Sequence, residues 1–479
     1  MRLLCLIMTL CFIISCYSQK KIENKSLEDR IFRIENGLQS NLQIQYKDSI
    51  IRRVYNIEQR MKELKIPGLS IAVLHNDTLE WAKGYGVADS LENRKVTPTT
   101  LFQAGSISKP IAATRALQLA EKGFIDLDQN VNTFLSNWKL PENEFTLNEK
   151  VTPRRLLNHT AGITISGFKG YKHGDTIPST IEILEGKGNT DAVRVYKEPG
   201  EGWNYSGGGY TVLQQMITDI DQEHFSETMQ ENVLIPLAMT NSTFKNPLPE
   251  RLHSRAASGY NFDGTQVEGK WWIYPEMAAA GLWTTPSELL LWAKEIQHIF
   301  QTQEDGLLDV ETVNDMLTPN EDDQGLGPYV LNHTFGHGGA DEGFRAHLLI
   351  WKETPNAVAI MVNSQNGNKI INEIMLSITE EYNLEGYYPK IRVYKEQSKE
   401  ELTRFVGKYD FKDQGLVDIN VKDDGLYFTG DLASDPIFLW PKSDLIFFST
   451  ETGLYFEFEF ENGSISTLKV AGYKGEKLE

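Results

Sequence analysis

Apolar residues along the chain switch between two periods, and the switches outline its elements. From Asp48 to Leu64 they recur at Ile50, Val54, Ile57, Met61 and Leu64, a helical spacing on one face that Pro67-Gly68 would close. Strand-like pieces follow at Leu69–Leu74 and Leu79–Tyr85, joined by the turn residues His75-Asn76-Asp77. Helix-like and strand-like segments then alternate to about Tyr382. The last of them are expected strands at His347–Trp351 and Ala357–Val362 and an expected helix at Lys369–Tyr382. No Gly/Ser linker or internal repeat interrupts this stretch, so residues 46–385 read as one α/β unit, preceded by a linker at 19–45. Beyond a second linker at 386–401 the period becomes two. Leu416–Lys422 and Leu426–Thr429 flank Asp423-Asp424-Gly425, and Leu454–Phe460 and Ile465–Val470 flank Asn462-Gly463. Both are hairpin signatures, which predicts a small antiparallel β domain over 402–479.

Length and composition modify this outline only in part. A chain of 479 residues suggests about three domains, but the pattern asks for one unusually large unit and one small one. The net charge of −19 argues against a nucleic-acid partner, which needs a basic surface. Sixteen acidic against eight basic residues between Glu400 and Glu479 place −8 of that charge in the tail, where it reads as a solvated sheet face. The three cysteines stand at positions 5, 11 and 16, which excludes a disulfide framework or a cysteine nucleophile in the folded part. They lie in or beside an apolar run, Leu3 to Ile14, that follows Met1-Arg2 and is too short for a bilayer of about 30 Å. It reads as a signal peptide over 1–18, and hence as export to the periplasm. Cleavage after Ser18 would release a soluble protein. Alternatively, Ile13-Ile14-Ser15-Cys16 resembles a bacterial lipobox and would make Cys16 a lipidated anchor, the one expected route to a membrane.

Serine and lysine three apart on a helix share a face, so a neutral amine can take the serine proton. The pattern starts at Ser18, Ser106, Ser136, Ser166, Ser242 and Ser466, so by itself it discriminates little. Only Ser106 opens a helix: Gly105-Ser106-Ile107-Ser108-Lys109-Pro110 precedes the apolar run from Ile111 to Ala120. Pro110 must fall in or next to the first turn, because an interior proline costs about 3 kcal/mol. Ser106 is then placed at the positive end of the helix dipole. Taken alone, the plainer description is an N-cap serine beside an exposed lysine. Two glycine-rich segments add candidates: Pro199 to Tyr210, which contains Tyr205 and Gly207-Gly208-Gly209, and Phe335 to Arg345, which contains His337. The first reads as a loop that could present a hydroxyl to a cleft, and the second as glycines leading into a strand, where a ligand could closely approach a backbone N–H. Taken singly, they could equally be a packed aromatic and a surface histidine. His333 and His337 are four apart, but the intervening glycines oppose a helix, and no HExxH is present, so no metal or other cofactor is expected.

With these segments in order, the chain resembles the serine β-lactamase and penicillin-binding-protein superfamily, and within it the class C-like branch. Ile66-Pro67-Gly68-Leu69-Ser70-Ile71-Ala72-Val73, Leu156-Leu157-Asn158-His159-Thr160-Ala161-Gly162, Pro236 to Phe244 and Ala280-Gly281-Leu282-Trp283-Thr284-Thr285 are similar to family segments in the family's order. The tail resembles, more weakly, a lipocalin-like β domain. The resemblance implies an antiparallel sheet flanked by helices, with a helical subdomain. It implies Ser106 as acylated nucleophile, Lys109 as proton acceptor and Tyr205 as the base that reprotonates the leaving group. It places His337 where the family has the lysine of K-T-G. The backbone N–H groups of Ser106 and Ala340 would form an oxyanion hole, with Gly207 and Gly339 lining the substrate side. One departure stands out: Gly207 replaces the asparagine of Y-x-N, which in the family holds a substrate carbonyl.

The leading expectation is an exported serine hydrolase acting through an acyl-enzyme on a small ester or a D-amino-acid-containing amide, with weak β-lactamase activity at most. The alternatives are a penicillin-binding D-alanyl peptidase acting on cell-wall peptides, or a binding protein of the same fold whose catalysis has decayed at position 207.

Overall fold

The computed structural model describes residues 26–422, 425–461 and 463–478; the apolar run and Cys16 lie outside them. The chain divides into two compact units. One spans Glu58–Asn372, and the other is built from residues 26–57 together with Glu373 onward.

The first unit is organised on a seven-stranded antiparallel sheet. Its strands are β1 (Gly68–His75), β2 (Thr78–Asp89), β3 (Arg94–Lys95), β4 (Tyr329–Val330), β5 (Thr334–Asp341), β6 (Phe344–Trp351) and β7 (Ala357–Val362), in the order β4-β5-β6-β7-β1-β2-β3. β1 and β7 sit mid-sheet and are buried along almost their whole length, which is why they read as continuous apolar runs. The β1–β2 hairpin turns at Asn76 and Asp77, both with positive φ, as a tight two-residue turn requires. The long helices beside shorter ones are α1 (Ser108–Glu121), α2 (Gly207–Asp221) and α3 (Pro286–Thr302). α3 is capped by the Thr285 hydroxyl, starts on a proline and packs on β1 and β7. α1 is buried on nearly every side, so its sequence is small and apolar all round rather than amphipathic.

The glycine-rich segment that leads into β6 itself forms strand β5, with His337 opposite Leu348 and Gly339 opposite Ala346. Its glycines answer a packing need. A β-carbon at Gly336 would lie 2.0 Å from Leu348 O, and one at Gly339 would lie 1.9 Å from Ala104 O. Only the two residues after Asp341 turn, at Gly343 with φ +80°.

In the second unit, eight antiparallel strands close into a barrel: β8 (Gly407–Asp410), β9 (Leu416–Lys422), β10 (Gly425–Gly430), β11 (Ala433–Pro441), β12 (Ile446–Phe448), β13 (Tyr455–Glu461), β14 (Ser464–Val470) and β15 (Tyr473–Lys477). Its interior is filled by Phe405, Tyr409, Phe447, Phe456, Phe458 and aliphatic neighbours. The stretches expected to be linkers contribute regular structure here. A helix at Leu27–Asn36 is capped by Ser26 and held by Arg33, which donates to both carboxylate oxygens of Glu381 at 2.8 and 2.7 Å. Leu42–Tyr46 pairs in parallel with Lys390–Val393 and antiparallel with Ser49–Ile51. The helix expected from Asp48 shrinks to Ile57–Glu63, and what precedes it is strand. Ile50 and Val54, which counted toward the helical face, are in fact exposed, so no core rewarded that period.

Candidate active site

Of the six Ser-x-x-Lys serines, Ser106 has its lysine in reach. A 3-10 turn, Gly105–Ile107, leads directly into α1, so residues 106 and 109 come onto one side of the first turns, with Pro110 in the first turn as required. Lys109 Nζ donates to Ser106 Oγ at 3.1 Å and to Ala279 O at 2.9 Å. Far from the exposed lysine of the plainer description, its side chain is 2% exposed. Burial brings the amine down to about 7, so half of it is neutral near neutrality. Three of the other serines are occupied differently. Ser242 Oγ meets Thr284 Oγ1 and the Glu288 carboxylate, Ser136 binds Asp219 through its N–H, and Ser466 lies in strand β14.

The turn that carries Ser106 is tied down on two sides. Ser108 Oγ donates to Gly105 O and accepts from Leu282 N, and Ala104 N donates to Leu282 O. On the other side strand β5 passes so closely that a β-carbon at Gly105, whose φ is +52°, would stand 2.5 Å from Ala340 N. That approach brings the backbone of Ala340, an exposed residue, to the nucleophile turn, as an oxyanion hole shared with Ser106 requires. Gly339 is needed for the same approach, its missing side chain facing Ala104 O.

Tyr205 lies just before α2 and shares a hydrogen bond with Ser106, while the Lys109 ammonium stands 4.8 Å over its ring. Burial pushes its hydroxyl up to about 12, so the phenol keeps its proton. Desolvation outweighs the lowering effect of the Ser106 hydrogen bond. His337 is 4% exposed and stacks on Tyr329 with ring centroids 5.0 Å apart. Its Nδ1 faces Gly338 O and must donate to it, which leaves Nε2 as a bare acceptor. Burial, reinforced by Lys109, brings this imidazole down to about 3. It is therefore neutral throughout the physiological range and supplies no positive charge where the resemblance has lysine.

Three buried groups at the site escaped the sequence reading. His159 accepts the Ser206 N–H at Nδ1 and lies 4.5 Å from the Tyr205 ring, orienting the loop that carries it. Asp341 accepts the Gly105 N–H, and burial lifts its carboxyl to about 8. Glu276 is fully buried with neither carboxylate oxygen hydrogen-bonded, and it too is lifted to about 8. His159 lies inside the Leu156–Gly162 segment with no local mark of its own, and the acids sit in apolar or glycine-rich surroundings that resemble ordinary loop sequence.

The beta-lactamase family profile matches residues 55–373. The chain belongs to the beta-lactamase family. It is 26% identical over 327 residues to a putative penicillin-binding protein, PbpX, of Bacillus subtilis (strain 168), covering 67% of this chain and 76% of PbpX. It is 26% identical over 359 residues to protein flp of Staphylococcus aureus (strain NCTC 8325 / PS 47), covering 71% and 69%. An octameric penicillin-binding protein homologue from Pyrococcus abyssi superposes with a TM-score of 0.61 at 23% identity, covering 88% of this chain and 98% of that one. FmtA from Staphylococcus aureus superposes at 0.56 with 18% identity, covering 71% and 91%. These two likenesses bear on the fold. The family is normally one of serine hydrolases, and the cluster at Ser106 has the parts such chemistry uses.

Proposed function

We propose that this protein is an exported serine hydrolase that forms an acyl-enzyme on Ser106, with esters or D-amino-acid-containing amides as substrates and weak β-lactamase activity at most. The observation that carries it is the Ser106–Lys109 pair, in which a desolvated amine brought down to about 7 lies 3.1 Å from the hydroxyl it deprotonates. Ser106 Oγ attacks the carbonyl carbon as its proton passes to Lys109 Nζ. The carbonyl π electrons move onto oxygen, and the N–H groups of Ser106 and Ala340 stabilise the resulting oxyanion. Collapse breaks the bond to the leaving group, which takes a proton from the Tyr205 hydroxyl, and Lys109 returns its proton to Tyr205. Water then attacks the acyl-Ser106 ester by the same route and releases the acid. The neutral His337 and the side chain missing at Gly207 favour substrates that need neither a cationic contact nor a side-chain amide, which sets efficient β-lactam turnover apart.

The test is covalent. A fluorophosphonate should add one adduct to the wild-type protein by intact mass and none to Ser106→Ala. Cephalosporin hydrolysis on a par with the best ester would overturn the substrate preference. The likeness to penicillin-binding proteins supports a second reading, a D-alanyl peptidase. Ester turnover without release of D-alanine from D-alanyl peptides would dismiss it. Export rests on the apolar run after Met1-Arg2, and palmitate incorporation that is lost in Cys16→Ala would select the anchored form.

A further inference from the structure

The start of α2 is covered by an unusual piece of chain. Residues 164–168 fold over Gly207-Gly208-Gly209 so closely that side chains are excluded: a β-carbon at Gly208 would lie 2.5 Å from Thr164 O, and one at Gly207 would lie 2.8 Å from Phe168 Cε2. The first N–H groups of the helix are spent on this segment, Gly207 N donating to Ser166 O at 3.2 Å and Gly208 N to Ile165 O at 2.9 Å. Ser206 Oγ adds a bond to Thr164 O at 3.0 Å. Ile165 is held at φ +66°, a left-handed conformation that a β-branched side chain adopts only under constraint. So much fixation would be unneeded for a surface loop, and what it delivers, the ring of Phe168, packs partly against the core and stays partly exposed.

The direction of the chain says where that ring stands. Ser206 is extended, with φ −138° and ψ 112°, so residues 205 and 207 face the same side. Tyr205 uses that side to reach Ser106. The position beside it, where Gly207 has no side chain, is filled by the Phe168 ring edge. A substrate acylating Ser106 therefore meets an aromatic hydrocarbon surface next to Tyr205.

We propose that Phe168, seated on Gly207, is the wall of an acyl-binding subsite and selects esters whose acyl group is an apolar alkyl or aryl chain. The inference rests on the hydrolase reading above and names the substrate class of the same site. The subsite gains affinity with each methylene that the ring covers.

The test uses the full chain with p-nitrophenyl acetate, butyrate and hexanoate, alongside fluorophosphonate labelling of Ser106. Phe168→Ala should lower the hexanoate-to-acetate ratio of kcat/KM by about tenfold, and Phe168→Leu by less. Gly207→Asn should depress all three esters because its side chain collides with the ring, and Phe168→Ala in the same chain should restore them. A chain-length ratio unchanged in Phe168→Ala and Phe168→Leu, with Ser106 still labelled, overturns the subsite alone. Absence of labelling in the wild type overturns the hydrolase reading and the subsite with it.

Discussion

The barrel interior is aromatic, with Phe405, Phe447 and Phe458 packed edge to face or tilted at centroid distances of 4.7 to 5.5 Å and charges kept on the outer face. The interior behind Ser106 is polar. Lys109, His337, Asp341 and Glu276 are all at least nine-tenths buried, and Nε2 of His337, Oδ2 of Asp341 and both oxygens of Glu276 have no hydrogen-bond partner. In the first interior, sequence period, packing and polarity all favour the same structure. In the second they conflict, and the conflict supplies the chemistry: burial brings the lysine down far enough to be a base near neutrality, against the opposing pull of Asp341.

The contrast breaks if the polar interior is merely tolerated. Lys109→Met keeps the volume and removes the buried amine. Ester kcat should fall by about a thousandfold or more, while the melting temperature holds or rises because no amine has to be desolvated. A stability loss comparable to the activity loss would make Lys109 a structural residue. The barrel should respond in the opposite way. Phe458→Ala deletes a ring from a packed core and should remove about 3–5 kcal/mol from the unfolding free energy of its unit, read by denaturant titration.

How much the sequence disclosed follows the same division. Barrel hairpins and central strands were legible because their alternation and burial coincide: Ala357–Val362 was expected and found, and Leu416–Lys422 likewise. Ser106 and Lys109 stood out by their spacing at a helix start, Tyr205 and His337 through the resemblance, and the structure brings the four side chains together. The helix at 48–64 was misjudged because Ile50 and Val54 fit a helical period without being buried. Strand β5 itself was not legible, because the glycines required by close passage beside Ala104 and Leu348 carry no strand period. Phe168, Asp341 and Glu276 left no local signal, since their roles depend on which distant segment they meet.

A pH profile sharpens the comparison by asking whether the polar groups act as one unit. Activity requires neutral Lys109, so kcat/KM for an ester should rise through an acid limb near pH 7. His337, brought down to about 3, should leave no inflection between pH 5 and 8. The Asp341 carboxylate raises the lysine, so Asp341→Asn should move the acid limb downward while still accepting the Gly105 N–H. Asp341→Ala, which loses that acceptor, should also lower kcat. An acid limb that stays put in Asp341→Asn would separate the two groups.

The smallest effect concerns Glu276, whose carboxylate oxygens have no hydrogen-bond partner. Its carboxyl ordinarily ionises near 4.5 and burial lifts it to about 8, so between those values the native protein holds a proton that the unfolded chain has released. The native state is therefore favoured below pH 4.5, and that contribution is lost as pH rises through about 8. Glu276→Gln removes the ionisation but keeps the shape. Its melting temperature should match the wild type near pH 5 and exceed it near pH 9, by an amount corresponding to about 1–2 kcal/mol once water penetration blunts the penalty. Equal melting curves at both pH values would mean that the carboxylate finds a partner on ionising, and that the polar interior is better compensated than its unpaired oxygens indicate.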